Sequence, residues 1–316
     1  MPDADAISAQ VARESERRAR LSVPAFGGGF LYLLSGITIS ETLKGAPTVG
    51  LLQGLGPALS GVANPAVSPR AAEVKFISHH ALPLIAGSAV ATIAIGALVL
   101  ILLLLCDAAR FRRPEMWSAA RPLILVGGVA LALALVGHQV VSAIETHNFA
   151  VGHDFSYHAV DQVLGPANIP GSKGTANVIL GYLSLLAGLG FAAGMIATAM
   201  NGLRVGLLPR WMGILGIFTA VLIFYPIGGA TLEIVPAFWM VAMGLLYGGR
   251  WPNGDPPAWA SGEARPWPSR AELRAAKQAG QGPVFAGAGA DVGPAPAQPA
   301  ADGSSRKRRR KRSARS

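Results

Sequence analysis

Charge is what this 316-residue chain has least of: 14% of its residues are Asp, Glu, Lys or Arg, while 51% are apolar. A soluble domain carries about 25% charged residues, so the usual water-facing surface is excluded. Cysteine is nearly absent too. The single Cys106 excludes a disulfide within the chain and any zinc or iron–sulfur site built from several thiolates. Acid is short in one place above all. The stretch Gly303 to Ser316 holds eight Lys/Arg and no acid, so of the formal charge of +10 only +2 belongs to the other 302 residues. The basicity is that of a tail on a nearly neutral body.

What is present is a series of long charge-free apolar runs. Crossing a hydrocarbon core of about 30 Å takes roughly 20 helical residues. Runs of that kind lie at Leu21–Ser40, Ala81–Cys106, Pro122–Ile144 and Ala176–Leu203, followed by Trp211–Gly249. Pro226, Gly228 and Gly229 divide the last stretch into Trp211–Ile227 and Leu232–Gly249, read as a hairpin of two short spans. A further uncharged stretch, Ala46–Pro69, carries four glycines and four prolines, which break a spanning helix. It is read as an outer loop, with Leu51, Leu52, Leu55 and Leu59 along one side of a short interfacial helix.

The expectation is therefore an all-α polytopic integral membrane bundle of six transmembrane helices (21–249). It is preceded by a cytoplasmic helix (1–20), in which Glu14/Arg18 and Glu16/Arg20 pair at i,i+4, and followed by a disordered cytoplasmic tail (250–316). The first run is too long for the core of a cleaved signal peptide and reads as an anchor. Cytoplasmic loops are enriched in Lys/Arg. With the N-terminus inside, the inner segments hold ten arginines (13, 17, 18, 20, 110, 112, 113, 121, 204 and 210), and the outer loops hold Lys44, Arg70, Lys75 and Lys173. Both termini are thus expected in the cytoplasm and the protein in the cell membrane.

The joint Gly206-Leu207-Leu208-Pro209-Arg210-Trp211-Met212-Gly213 resembles a segment of uncharacterised bacterial six-helix membrane proteins, including a widespread domain-of-unknown-function family. So does Gly249-Arg250-Trp251-Pro252-Asn253-Gly254 running on to Pro256-Pro257-Ala258-Trp259. The resemblance covers the C-terminal third and implies a six-helix topology; it carries no catalytic or binding residue.

Few residues offer chemistry. All six histidines fall on the outer side or in the outer half of a span. His138, Ser142 and Glu145 share one helix face, and an intramembrane ionisable group is a default candidate for a proton relay or a polar substrate site. Asp154, His158 and Asp161 would share a face if a surface helix began at Asp154, with mixed N/O metal ligands; the wet face of a helix capped by Ser156 is the favoured reading. Glu233 is placed at the second position of a helix capped by Thr231, where a carboxylate suits the helix dipole. Gly190 and Gly194 allow close helix approach, within the bundle rather than between subunits. Cys106 reads as a plain apolar residue. No H-E-x-x-H, G-x-S-x-G or C-x-x-C occurs, and the glycine-rich segments lack P-loop spacing.

The run Arg306, Lys307, Arg308, Arg309, Arg310, Lys311 and Arg312 is expected to meet anionic lipid headgroups at the inner leaflet. It lacks the aromatics that would support nucleic-acid stacking. Trp251, Trp259 and Trp267 are expected at headgroup level. No cofactor is expected, and the protein partners are unknown. The leading functional reading is a structural or interaction protein of the membrane. Its rivals are a small-solute transporter around His138, Ser142 and Glu145 and an extracytoplasmic metal-dependent enzyme.

Overall fold

A computed structural model describes residues 4–50, 59, 61, 67–68, 70–152, 154–156, 159–160, 175–224, 233–252, 254–267 and 278. The chain divides into two units, Met1–Ala286 and Gly287–Ser316, and every described residue lies in the first. Among the described residues the order is α1 (Ala4–Lys44), α2 (Ala71–His79), α3 (Ala81–Arg112), α4 (Ala120–Gly152), α5 (Thr175–Arg204), α6 (Arg210–Phe224), α7 (Ile234–Tyr247) and α8 (Pro257–Ser261).

The helices pack by removing side chains where they cross. On α1 the buried residues Glu14, Arg18, Ala25, Gly28, Gly29, Ser35 and Gly36 keep to the helical repeat, with steps of four and seven from Glu14 to Ala25, three and four from Ala25 to Gly28 and Gly29, and seven from Gly28 to Ser35 and from Gly29 to Gly36. They form one stripe along which the helix packs against α3 and α7. At Gly29 a Cβ would fall 2.6 Å from the Ala237 carbonyl oxygen, so α1 and α7 touch backbone to backbone. Gly194 brings α5 equally close to α4, where a Cβ would stand 2.9 Å from the Ala120 oxygen. The small-residue pair Gly190/Gly194 thus serves packing within the bundle.

The outward faces are apolar. Val23, Phe30 and Leu34 on α1, Val126 and Leu133 on α4, and Ile179, Leu186 and Leu189 on α5 are all exposed. Rows of large apolar side chains on the outside of helices that are also apolar inside fit hydrocarbon as the solvent. Four helices among the described residues, α1, α3, α4 and α5, are long and apolar enough to cross a membrane. The chain is a membrane protein embedded through these apolar helices.

The six-span expectation is corrected here. The helices in Trp211–Gly249 are Arg210–Phe224 and Ile234–Tyr247, of 15 and 14 residues, and each is only about 22 Å long. Neither crosses a core of about 30 Å. Pro226, Gly228 and Gly229 signalled the division, but apolar composition alone does not tell a helix of 14 or 15 residues from one long enough to span. The implied membership of a six-helix family falls with it. Residues 225–232, with the supposed turn, lie outside the described residues, as do Leu51, Leu52 and Leu55.

Two further differences concern the ends. The helix expected to stop at Ile144 runs on to Gly152, and α2 lies against it, with Val74, Phe149 and Val160 forming a small apolar cluster. The segment after α7, expected to be disordered from Arg250, is folded over 254–267: Ala258 and Trp259 are buried, and the Arg265 N–H donates to the Val205 carbonyl at 3.0 Å. Its Pro-, Gly- and Ala-rich composition resembles a linker, but tryptophans pin it to the bundle.

Candidate functional site

Three polar features stand out against the apolar bundle. The first is the seam predicted at the outer end. Ser142 and Glu145 on α4 are brought together with Asn177 on α5: the Asn177 amide donates to Glu145 Oε2, and the Ser142 hydroxyl donates to Asn177 Oδ1 at 3.4 Å. His138 stands half-buried one turn deeper on the same face. Asn177 is nearly buried and was missed in the sequence. An amide near the start of an apolar run looks like ordinary interfacial polarity until the opposing carboxylate is placed.

The metal candidates do not assemble in the described part. Asp154 is exposed and accepts a hydrogen bond from the Ser156 hydroxyl at 3.1 Å, while His158 and Asp161 lie outside the described residues. Among the described residues no group of three or more His, Cys, Asp or Glu side chains is placed to hold a metal ion. The polybasic run Arg306–Arg312 also lies outside the described residues.

The second feature is a chamber of about 430 Å³, partly open to the outside of the bundle, walled by α1, α3, α4, α5 and α6 and by the start of α7; Leu185 of its lining is 53% exposed. Leu131, Leu135, His138, Ser142 and Glu145 follow one another at spacings of four and three on α4. On α5, Asn177, Gly181, Ser184 and Gly188 do the same. These spacings keep each set on one helix face. Since Leu131, Leu135, Gly181, Ser184 and Gly188 line the chamber, the polar seam and the chamber share one helix–helix groove.

The polar groups of the chamber are Tyr32, Ser35, Ser184 and Glu233. Ser35 is committed, its hydroxyl donating to the Gly87 carbonyl at 2.9 Å. Glu233 corrects the capping expectation. It is itself the N-cap residue of α7, in helical conformation and with no side-chain cap hydrogen bond; Thr231 lies outside the described residues. Its carboxylate instead occupies the space left by Gly36, where a Cβ would fall 1.5 Å from Oε2. A local reading of Glu233 sees only a helix start, whereas the missing side chain 197 positions earlier decides where the carboxylate points.

The third feature is a clasp at the basic end. Arg112, at the end of α3, grips Glu14 of α1 with both terminal nitrogens, at 2.9 and 2.7 Å. Its remaining donors go to the carbonyls of Ala108 and Ala258, so all five N–H groups of the guanidinium are used. The Trp259 ring lies beneath Arg18, whose guanidinium carbon is 4.6 Å from the ring centre, and Arg112 stands 5.6 Å away. Arg18 also donates to Asp255 at 2.8 Å and to the Leu246 carbonyl at 2.7 Å.

The expected i,i+4 pair Glu14/Arg18 is thus not made, because Glu14 is taken by the buried Arg112 and Arg18 turns to Asp255 and the Leu246 carbonyl. The exposed pair Glu16/Arg20 is made. The carbonyls of Leu207 and Leu208, in the connection between α5 and α6, accept the indole N–H groups of Trp259, at 2.9 Å, and Trp267, at 2.7 Å. Gly206 permits this turn: its φ is +80° and a Cβ would meet the Arg265 oxygen at 1.9 Å. Trp259, expected among headgroups, is 3% exposed. Buried indoles need acceptors, and the carbonyls of the α5–α6 connection supply them.

Compared with protein-family models, with curated proteins and with solved structures, the chain matches none. The reading of its function rests on this geometry alone.

Proposed function

We propose that the chain is a multi-pass protein of the cell membrane that binds a small, largely apolar solute inside the bilayer. The observation that carries this reading is the partly open chamber of about 430 Å³ between the helices, with Glu233 and Tyr32 set among apolar walls. Ligand sites are of this size and kind, apolar with a few placed polar groups. The reading moves the small-solute alternative from His138, Ser142 and Glu145 to Glu233 and makes the predicted trio its outer approach. The leading structural role is kept by the clasp, which holds the chain after α7 against the bundle.

Orientation follows from charge. Glu14 of α1 and residues 254–267 meet at the end of the bundle where α3 finishes in Arg110, Arg112 and Arg113. The positive-inside tendency puts that end in the cytoplasm, with the run Arg306–Arg312 following it to the anionic inner leaflet. In intact cells of a Cys106→Ala background, an impermeant maleimide should label Gly152→Cys and leave Ser118→Cys unlabelled. The reverse pattern would invert the orientation.

The chamber is tested by filling it. A Cβ at Gly188 would stand 3.6 Å from Phe224 and 3.9 Å from Leu131, both chamber residues, so the rest of a leucine there enters the space. Protein in lipid nanodiscs should bind the neutral dye N-phenyl-naphthylamine saturably, one per chain above the lipid background. Gly188→Leu should remove that component without lowering the melting temperature. Equal saturable binding by both proteins would contradict the proposal.

A further inference from the structure

We propose, on the footing of the chamber reading, that the occupant is a lipophilic organic cation, a hydrophobic ammonium or phosphonium, held against the carboxylate of Glu233. Three observations lead there. Glu233 makes no side-chain cap bond at its own helix, so the carboxylate is not spent on α7. It lies one whole helix, 14 residues or about 21 Å, from the basic end where α7 finishes at Tyr247. At that depth an ionised acid calls for a partner, and no lysine or arginine is among the described residues lining the chamber.

The setting also selects the kind of cation. Ile95, Leu135 and Leu222 line the walls together with the rings of Tyr32 and Phe224. A small inorganic cation wants six or more oxygens about it. Among the described residues lining the chamber, the side-chain oxygens are those of Glu233, the hydroxyls of Tyr32 and Ser184, and a Ser35 hydroxyl already given to Gly87. An organic cation needs far fewer: it meets the carboxylate on one side, lies over an aromatic face on another and buries its hydrocarbon against the walls. Tyr32 is within electrostatic reach of Glu233, so ring and carboxylate act on one guest. An anion is repelled, and a neutral guest gains nothing from the acid. Gly36 is part of the design, since its missing side chain is the space that the carboxylate fills.

The test is competition against the neutral dye in nanodiscs. Benzyltrimethylammonium is compared with its uncharged carbon isostere neopentylbenzene at equal concentrations in the lipid phase. The cation should displace the dye at least about tenfold better, the scale of one hydrogen bond or contact to a charged group. Glu233→Gln should erase that advantage while neopentylbenzene still competes as before, which reports an intact chamber. Gly36→Ala keeps the acid but puts a methyl where its oxygen sits, and should reduce the advantage as well. Equal displacement by the two compounds in the unaltered protein would overturn the cation and leave the chamber standing. No saturable dye binding at all would overturn the chamber reading and this inference with it.

Discussion

Glu14→Ala should destabilise the protein by on the order of 3 kcal/mol, the cost of leaving one member of a buried ion pair without the other. The Arg112 and Glu14 side chains are 0% and 3% exposed. Removing the acid leaves a guanidinium desolvated against Trp259 and Ala258, with two of its five donors unmet. The folded state can relieve this only by opening the contact between α1, α3 and α8, which is the contact that holds residues 254–267. The expected result is a lower melting temperature in lipid–detergent micelles together with a red shift in tryptophan emission as Trp259 meets water.

A second substitution supplies the contrast. Glu16 and Arg20 form a pair with the same i,i+4 spacing, but their side chains are 64% and 76% exposed. Exposed pairs contribute about 0–1 kcal/mol, so Glu16→Ala should melt with the unaltered protein. A double change, Glu14→Leu with Arg112→Met, should recover part of the loss, since two apolar groups do not need each other's charge. Recovery should be incomplete, because Arg112 also serves the Ala258 carbonyl. A Glu14→Ala protein as stable as the original would show that the clasp does not hold this end together.

The membrane class was legible in the chain because it depends on a local property, the length of uncharged apolar sequence, and α3, α4 and α5 fall where those runs are. The number of spans was not, because Pro226, Gly228 and Gly229 mark where α6 and α7 divide but not how short each helix is. Burial against α1, rather than composition, sustains a 14-residue α7. The clasp was illegible for a different reason: Glu14 and Arg112 are 98 positions apart, and Arg112 and Ala258 are 146. Pairing rules that look four residues ahead assign Glu14 to Arg18 instead.

At the outer seam the sequence found one side. The face shared by Ser142 and Glu145 was read from helical periodicity, whereas their partner Asn177 comes from a helix 32 positions beyond Glu145. Glu233 was visible as an acid in an apolar stretch, but its local context favoured a helix cap. Only the emptiness at Gly36 turns it toward the chamber.

The central claim is that α5 presents one face to a chamber and another to lipid, and a cysteine scan of that helix tests it most directly. In a Cys106→Ala background in bilayers, single cysteines at Asn177, Gly181, Ser184 and Gly188 are compared with cysteines at Ile179, Leu186 and Leu189, whose native side chains are exposed on the outside of the bundle. A thiol reacts as its thiolate, which water and hydroxyl groups in the chamber solvate and hydrocarbon does not. A small polar methanethiosulfonate should therefore modify the first set about a hundredfold faster than the second, with the period of the helix. Fast modification at Ile179, Leu186 and Leu189 would mean that the outer face meets water rather than lipid, and uniform silence at all seven positions would mean that no chamber lies behind α5.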